Sequence, residues 1–157
     1  MLHFSYYAKA KPESVLKRSA VCNIEWPSYK TISKEELDFP LAYVITAFTD
    51  ARNLELTLAS IFRPHNSYCI HIDQKADRRF RESMENIMEC YGIKYPGSFM
   101  KAASKSEDVM WGHYSIVQAE INCLSDLIAS KRWIMISIYT YSPFGNVCPA
   151  FLGHHVP

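Results

Sequence analysis

The stretch from Phe39 to Lys75, FPLAYVITAFTDARNLELTLASIFRPHNSYCIHIDQK, constrains the fold more than any other. Leu41 to Phe48 carries no charge and is rich in β-favouring residues, the pattern of a strand covered on both faces. Pro40 biases Phe39 towards extended backbone and so into that strand. Thr49 and Asp50 offer helix caps, and Leu54, Leu58, Ile61 and Phe62 then repeat along one helical face until Arg63-Pro64. Ser67 to Asp73 alternates: Tyr68, Ile70 and Ile72 point one way, Cys69 and His71 the other. The result is one β-α-β unit with an acid, Asp73, at the end of its second strand. Many α/β proteins hold the sugar of a nucleotide in that way.

Downstream, Asp77 caps a predicted helix over 77–91 whose inner face is Phe80, Met84, Ile87 and Met88, and Gly92 is expected to stop it. Ser98 to Ala102 reads as a short strand, Ala103 to Gly112 as a polar loop, and His113 to Ser130 as a helix. That last helix has a broad apolar face containing Val117, Ile121, Leu124, Leu127 and Ile128. Trp133 to Tyr141 is a β-rich run. Upstream, residues 1–39 read as an arm, with one short helix near Glu13 to Ser19 and a polar turn over Ile32 to Pro40. The order β-α-β-α-β-α-β favours a parallel sheet with helices on its faces. The predicted class is therefore α/β, a Rossmann-like, mostly parallel and incomplete sheet. Ile134 to Tyr139 would be its exposed edge, open to self-association. The chain divides into an arm (1–39), a nucleotide-binding unit (40–133) and a divergent C-terminal tail (134–157), without period from Ser142 onward.

Composition narrows the function classes. A net charge of +1 gives no electrostatic case for nucleic acid or an anionic membrane. The start of the chain has no apolar core of a signal peptide, and no apolar run is long enough to span a bilayer. Five cysteines, Cys22, Cys69, Cys90, Cys123 and Cys148, form no CxxC pair and fit either buried thiols or a lumenal disulfide framework. The first β-α turn, Phe48 to Arg52, lacks glycine, which argues against a dinucleotide pyrophosphate there. No Asp-x-Asp occurs, so a metal-bound diphosphate has no visible ligands. His71 reads as an interior histidine rather than a ligand. Glu107 and Trp111 share a loop where a base or sugar could stack on the indole, or where the tryptophan simply anchors the loop.

Three ordered blocks carry a resemblance. They are Ser33-Lys-Glu-Glu with Phe39-Pro-Leu-Ala-Tyr43; Tyr68-Cys-Ile-His-Ile-Asp73 with Lys75; and Val117-Gln-Ala-Glu-Ile-Asn-Cys123 with Asp126-Leu127. From about Cys22 to Trp133 the chain resembles the core 2 / I-branching β-1,6-N-acetylglucosaminyltransferases. The resemblance implies a metal-independent Golgi membrane enzyme with a GT-A-like fold. Such an enzyme moves N-acetylglucosamine from UDP-N-acetylglucosamine, with inversion, to a galactose- or N-acetylgalactosamine-containing O-glycan. It also implies that Thr46, Phe48, Asp73 and Trp111 hold the uridine end of the donor, Phe48 standing where a histidine is common and Trp111 where a tyrosine is usual. The implied disulfides are Cys22–Cys90 and Cys69–Cys123. After Trp133 the pattern departs, and the half of the family domain that supplies the general base and the cations facing the diphosphate is not recognisable. The expectation is a truncated donor-side half, inactive alone; the alternative is a non-catalytic fragment that binds uridine nucleotide or another protein.

Overall fold

A computed structural model describes residues 14–17, 32–110, 112–130, 135–141 and 147–153, the last two segments through their backbone. In chain order the elements are α1 (Lys34–Asp38), β1 (Leu41–Ala47), α2 (Ala51–Ile61), β2 (Ser67–Ile72), α3 (Arg78–Lys94), β3 (Phe99–Ala102), α4 (Ser115–Ser130), β4 (Met135–Tyr141) and β5 (Val147–Gly153). They form one sheet of order β3-β2-β1-β4-β5. The first four strands are parallel, and β5 returns antiparallel to β4. The order 3-2-1-4 is that of a doubly wound sheet, which reverses direction between β1 and β4.

The uncharged β1 is the central strand, and its alternating side chains enter two separate cores. Tyr43, Ile45 and Ala47, with Tyr68, Ile70 and Ile72 of β2, pack against Leu54 and Leu58 of α2 and Phe80, Met84 and Ile87 of α3. Ala42, Val44 and Cys69 face the other way, against Cys123 and Leu127 of α4. A disulfide joins Cys69 to Cys123 across this second core, with Cα atoms 5.6 Å apart. Cys90 is also disulfide-bonded, while Cys22, its expected partner, lies outside the described residues.

Among the described residues, the aromatics Tyr43, Phe62, Tyr68, Phe80 and Tyr91 are buried in the core. Tyr43 stacks on Tyr68 at 5.0 Å between ring centroids, and Phe62 meets Tyr91 at 4.5 Å. The Tyr68 hydroxyl accepts from the Arg63 amide at 2.7 Å and donates to the Ile61 carbonyl at 3.0 Å, fixing the end of α2. α2 starts on Asp50, which takes a left-handed backbone (φ 60°) and accepts from the Asn53 amide. On its inner face α2 also buries Glu55. One oxygen of Glu55 accepts from Arg52 at 2.6 Å and the other has no partner.

Several expectations need correction. Ile32 to Pro40 is not a plain turn: Lys34–Asp38 is helical, begun by a capping box in which Ser33 and Glu36 bond each other's backbone amides. Ser14–Lys17 is not helical; the rest of the helix expected near Glu13 to Ser19 lies outside the described residues. Leu16 docks on α3, its amide donating to Ser83 and its carbonyl accepting from Asn86. Gly92 does not stop α3, which continues to Lys94 and is capped by Tyr95. A Cβ at Gly92 would meet nothing within 4 Å, so no close approach or special backbone angle is at stake there. The broad apolar face of α4 is only partly internal: Ala119, Asn122, Cys123 and Leu127 are buried, whereas Val117, Ile121 and Ile128 are exposed. Finally, the run expected to form the free edge is internal, because β4 pairs with β1 on one side and β5 on the other. The aperiodic stretch after Tyr141 supplies β5, whose Pro149 sits opposite Tyr139.

Candidate functional site

In a doubly wound sheet, ligands bind beyond the carboxyl ends of the strands, at the point where the strand order reverses. Here that point lies between β1 and β4, with β2 on the other side of β1. Asp73 follows β2 directly, and its amide donates to the Ala47 carbonyl at 2.9 Å, extending the β1–β2 ladder by one residue. This places Asp73 beside Ala47, between Thr46 and Phe48 in the sequence. Three of the four expected site residues therefore gather at one sheet end. The fourth, Trp111, lies outside the described residues.

The Asp73 carboxylate is buried, 4% exposed, and thoroughly engaged. Oδ1 accepts from the Lys75 amide at 2.8 Å and from Lys75 Nζ at 3.1 Å. Oδ2 accepts from Lys75 Nζ and from the Val109 amide, both at 3.2 Å. The Asp73 carbonyl accepts from Arg81 at 2.6 Å. Lys75 Nζ also donates to the Val109 carbonyl at 2.7 Å and to the Asp108 carboxylate. Partial burial works to lower the Lys75 pKa, but its bonds to Asp108 and Asp73 outweigh this and hold it above the ordinary lysine value. The ammonium is thus a fixed positive charge at the end of β2, joining Asp73 to the β3–α4 loop.

That loop lies along the sheet end through a series of bonds. The Ala103 amide donates to the Ile70 carbonyl at 2.9 Å, and the Ser104 amide to Asp126 at 2.7 Å. The Ser106 hydroxyl donates to the Ile72 carbonyl, and Gln74 reaches the carbonyls of Ser106 and Glu107 through its side chain and amide. Thr46 and His71, register partners on β1 and β2, form a polar floor on the face towards α4. The Thr46 hydroxyl and His71 Nδ1 are buried without a hydrogen-bond partner. His71 Nε2 accepts from the Glu107 amide at 2.8 Å. Burial is the main cause that pushes the His71 pKa below 6.5; Asp73 and Glu107 oppose it, and Arg81 acts with it. The imidazole is therefore neutral near pH 7. Phe48, half-buried, follows β1 directly at the same sheet end.

Asn122 of α4 also joins the site, its Nδ2 donating to the Glu107 carboxylate at 2.9 Å, and the sequence by itself marks none of Lys75, Asp108 and Asn122 as site residues. Lys75 and Asp108 lie 33 residues apart, and no local spacing could have joined them. The only sequence signal was that Lys75 and Asn122 fall within the three blocks that carry the resemblance.

A family model described as Core-2/I-Branching enzyme matches residues 41–138, from the first residue of β1 to the fourth of β4. The chain belongs to the Core-2/I-Branching enzyme family. Its architecture is that of a partial GT-A-like glycosyltransferase domain. A human N-acetyllactosaminide β-1,6-N-acetylglucosaminyl-transferase is 41% identical over 102 residues, which is 65% of this chain and 24% of that protein. β-1,3-galactosyl-O-glycosyl-glycoprotein β-1,6-N-acetylglucosaminyltransferases of Bovine herpesvirus 4 and Bos taurus are each 40% identical over 100 residues, 64% of this chain and 21% of theirs. The chain therefore spans about a quarter of the length of these relatives. Their named activity, β-1,6-N-acetylglucosaminyl transfer, is the activity of the family. Among the described residues no helix is long and apolar enough to cross a membrane.

Proposed function

We propose that this chain is the donor-binding portion of a β-1,6-N-acetylglucosaminyltransferase. The sheet end formed by β1 and β2 takes the uridine of UDP-N-acetylglucosamine, and Thr46, Phe48, Asp73 and Trp111 are the contact residues. The observation that carries the reading is the placement of Asp73 at the carboxyl end of β2, hydrogen-bonded to the end of β1, the strand that borders the reversal point, in a chain whose relatives are named as transferases of this sugar. Within this reading, uracil stacks on an aromatic wall of Phe48 and Trp111. Asp73 is set by Lys75, and for it to accept from the nucleoside its Oδ2 exchanges the long 3.2 Å bond from Lys75 Nζ or the Val109 amide for the ligand. The donor diphosphate is held without a divalent metal, in keeping with the missing Asp-x-Asp. Lysine and arginine side chains then take over the neutralisation that a metal gives elsewhere, and such stabilisation is commonly the largest part of the rate enhancement.

The acceptor is a galactose- or N-acetylgalactosamine-containing O-glycan, and the protein works on the lumenal side of the Golgi membrane. The buried Cys69–Cys123 disulfide supports an oxidising compartment. In the family pattern the general base on the acceptor hydroxyl belongs to a part that these 157 residues do not match. A base is worth roughly 10²- to 10⁴-fold in rate. These residues alone are thus expected to bind UDP without ordinary turnover, which is the non-catalytic alternative expressed as an outcome.

Titration calorimetry with UDP tests the reading. The unaltered chain should bind UDP equally well with and without EDTA, and Asp73→Ala and Phe48→Ala should each weaken binding. Unchanged affinity in an Asp73→Ala protein that still melts cooperatively would remove Asp73 from the site. Incubation with UDP-N-acetylglucosamine and a core 1 disaccharide tests the inactivity, and turnover at ordinary enzyme rates would refute it.

A further inference from the structure

Glu107, in the middle of the β3–α4 loop, is held from three directions. Its amide donates to His71 Nε2 at 2.8 Å, and its carboxylate accepts from Asn122 Nδ2 at 2.9 Å. Its carbonyl accepts from the Gln74 amide at 3.0 Å. Asn122 is itself buried on α4, and its Oδ1 accepts from Gln118 at 3.1 Å. A strand, a helix and a turn thus converge on one loop residue, two positions before the Val109 amide that bonds Asp73. Elements of independent origin aimed at a single loop position are the pattern by which supporting residues set a binding geometry.

We propose that His71 and Asn122 are positioning residues of the donor site, acting through Glu107 to hold the β3–α4 loop against Asp73. The proposal rests on the donor-site reading above. It goes further in assigning a role to two buried side chains that touch no ligand in that reading. It also carries a condition set by the direction of the hydrogen bond. An amide can only donate, so Nε2 must present its lone pair and the single ring proton must sit on Nδ1. A second proton would turn Nε2 into a donor facing a donor, and the tie to Glu107 would break. The charged groups that face the ring are Asp73 on the end of β2, Glu107 in the loop and Arg81 on α3. From α4 the neutral Asn122 joins the same network.

The folded chain keeps the imidazole neutral below its ordinary pKa, so the sign is fixed. The contribution is fully present above about pH 6.5 and is lost as pH falls through the lower folded value. The hold on the loop should weaken over that acidic window while the sheet stays intact.

The test uses the full 157-residue chain and two readouts: amide hydrogen exchange at Glu107, and UDP affinity by calorimetry. Asn122→Leu should speed Glu107 exchange and weaken UDP about tenfold, the effect of one lost hydrogen bond, while cooperative melting persists. In the unaltered chain, Glu107 protection and UDP affinity should fall together below pH 6.5. In His71→Gln, whose amide oxygen can still accept, protection should be insensitive to that pH change. Glu107 exchange unaffected by Asn122→Leu and by acidification would overturn the hold, whatever UDP does. Faster exchange with unchanged UDP affinity would overturn the positioning role. Failure of the unaltered chain to bind UDP, with exchange behaving as expected, would instead overturn the donor reading and leave the loop hold standing.

Discussion

The two faces of the sheet are built to different specifications. On one, α2 and α3 enclose a large core, and the outer surface of α3 presents Arg78, Arg79, Glu82, Glu85 and Lys94 to solvent. On the other, α4 covers a small core reinforced by a disulfide, and its exposed positions are Val117, Ile121, Ser125, Ile128 and Ala129, none of them charged. Tyr114, just ahead of α4, is 66% exposed and continues the apolar stripe. A helix that is apolar on most sides has the composition of an interior element. The first face thus meets water mainly through charged residues, with Leu56 and Ile93 as its exposed apolar side chains, and the second presents an uncharged stripe with the character of a core. The candidate site lies at the boundary between them, because Asp73 is tied to α3 through Arg81 and to the α4 loop through Val109.

Four perturbations break or sharpen this contrast. The largest is Cys69→Ala/Cys123→Ala. The bridge closes a separation of 54 residues, and removing it should cost about 4 kcal/mol on the chain-entropy account. Urea unfolding gives the total, and hydrogen exchange should show α4 opening before α3; simultaneous opening would mean the faces are equally secured. Next is Met84→Ala, in the well-filled core, which should cost about 3 kcal/mol without preferential opening of α4.

Third is Glu55→Gln. Burial raises the Glu55 pKa against the pull of Arg52, so its charged form is the disfavoured one in the fold. Stability is present at low pH and is lost as pH rises through the folded pKa. The glutamine variant should therefore gain about 1 kcal/mol over the natural chain at pH 7, roughly 2–4 °C in Tm, and nothing near pH 4. A gain of equal size at both pH values would show that ionisation is not the cause. The smallest effect is expected from Ile128→Lys, on the outer stripe of α4: stability within about 0.5 kcal/mol, with weaker binding of a hydrophobic dye. A loss of several kcal/mol would show that Ile128 is part of the core after all.

The contrast also explains what could be read in advance. Strand β1 was legible because its run has no charge, α3 because charged and apolar residues alternate at a clear helical period, and Asp73 because it ends an alternating strand. α4 was harder. Its apolar residues lie on more than one side, so a periodic reading gathers Val117, Ile121 and Ile128 into a face that the fold leaves exposed. α1 is too short, at five residues, to show a period, although Ser33 and Glu36 already spelled its capping box. β5 was hidden by its own Pro149 and Gly153, residues that normally signal turns. The site was legible as a place rather than as a mechanism. Asp73, Thr46 and Phe48 mark the sheet end, but the ties from Lys75 to Asp108 and from Asn122 to Glu107 join positions that only the fold brings into contact.

Strand β5 has a consequence for how copies of this chain meet. A parallel sheet that ended on β4 would offer a ready template for another polypeptide, but the antiparallel return fills that seat. The new outermost strand carries a proline, which has no N–H to donate and is poorly suited to further ladder growth. At the opposite border the last strand among the described residues is β3, only four residues long. Neither of these two described flanks favours runaway stacking into fibres, a safeguard that rests on the backbone of β5 and the shortness of β3 rather than on surface charge.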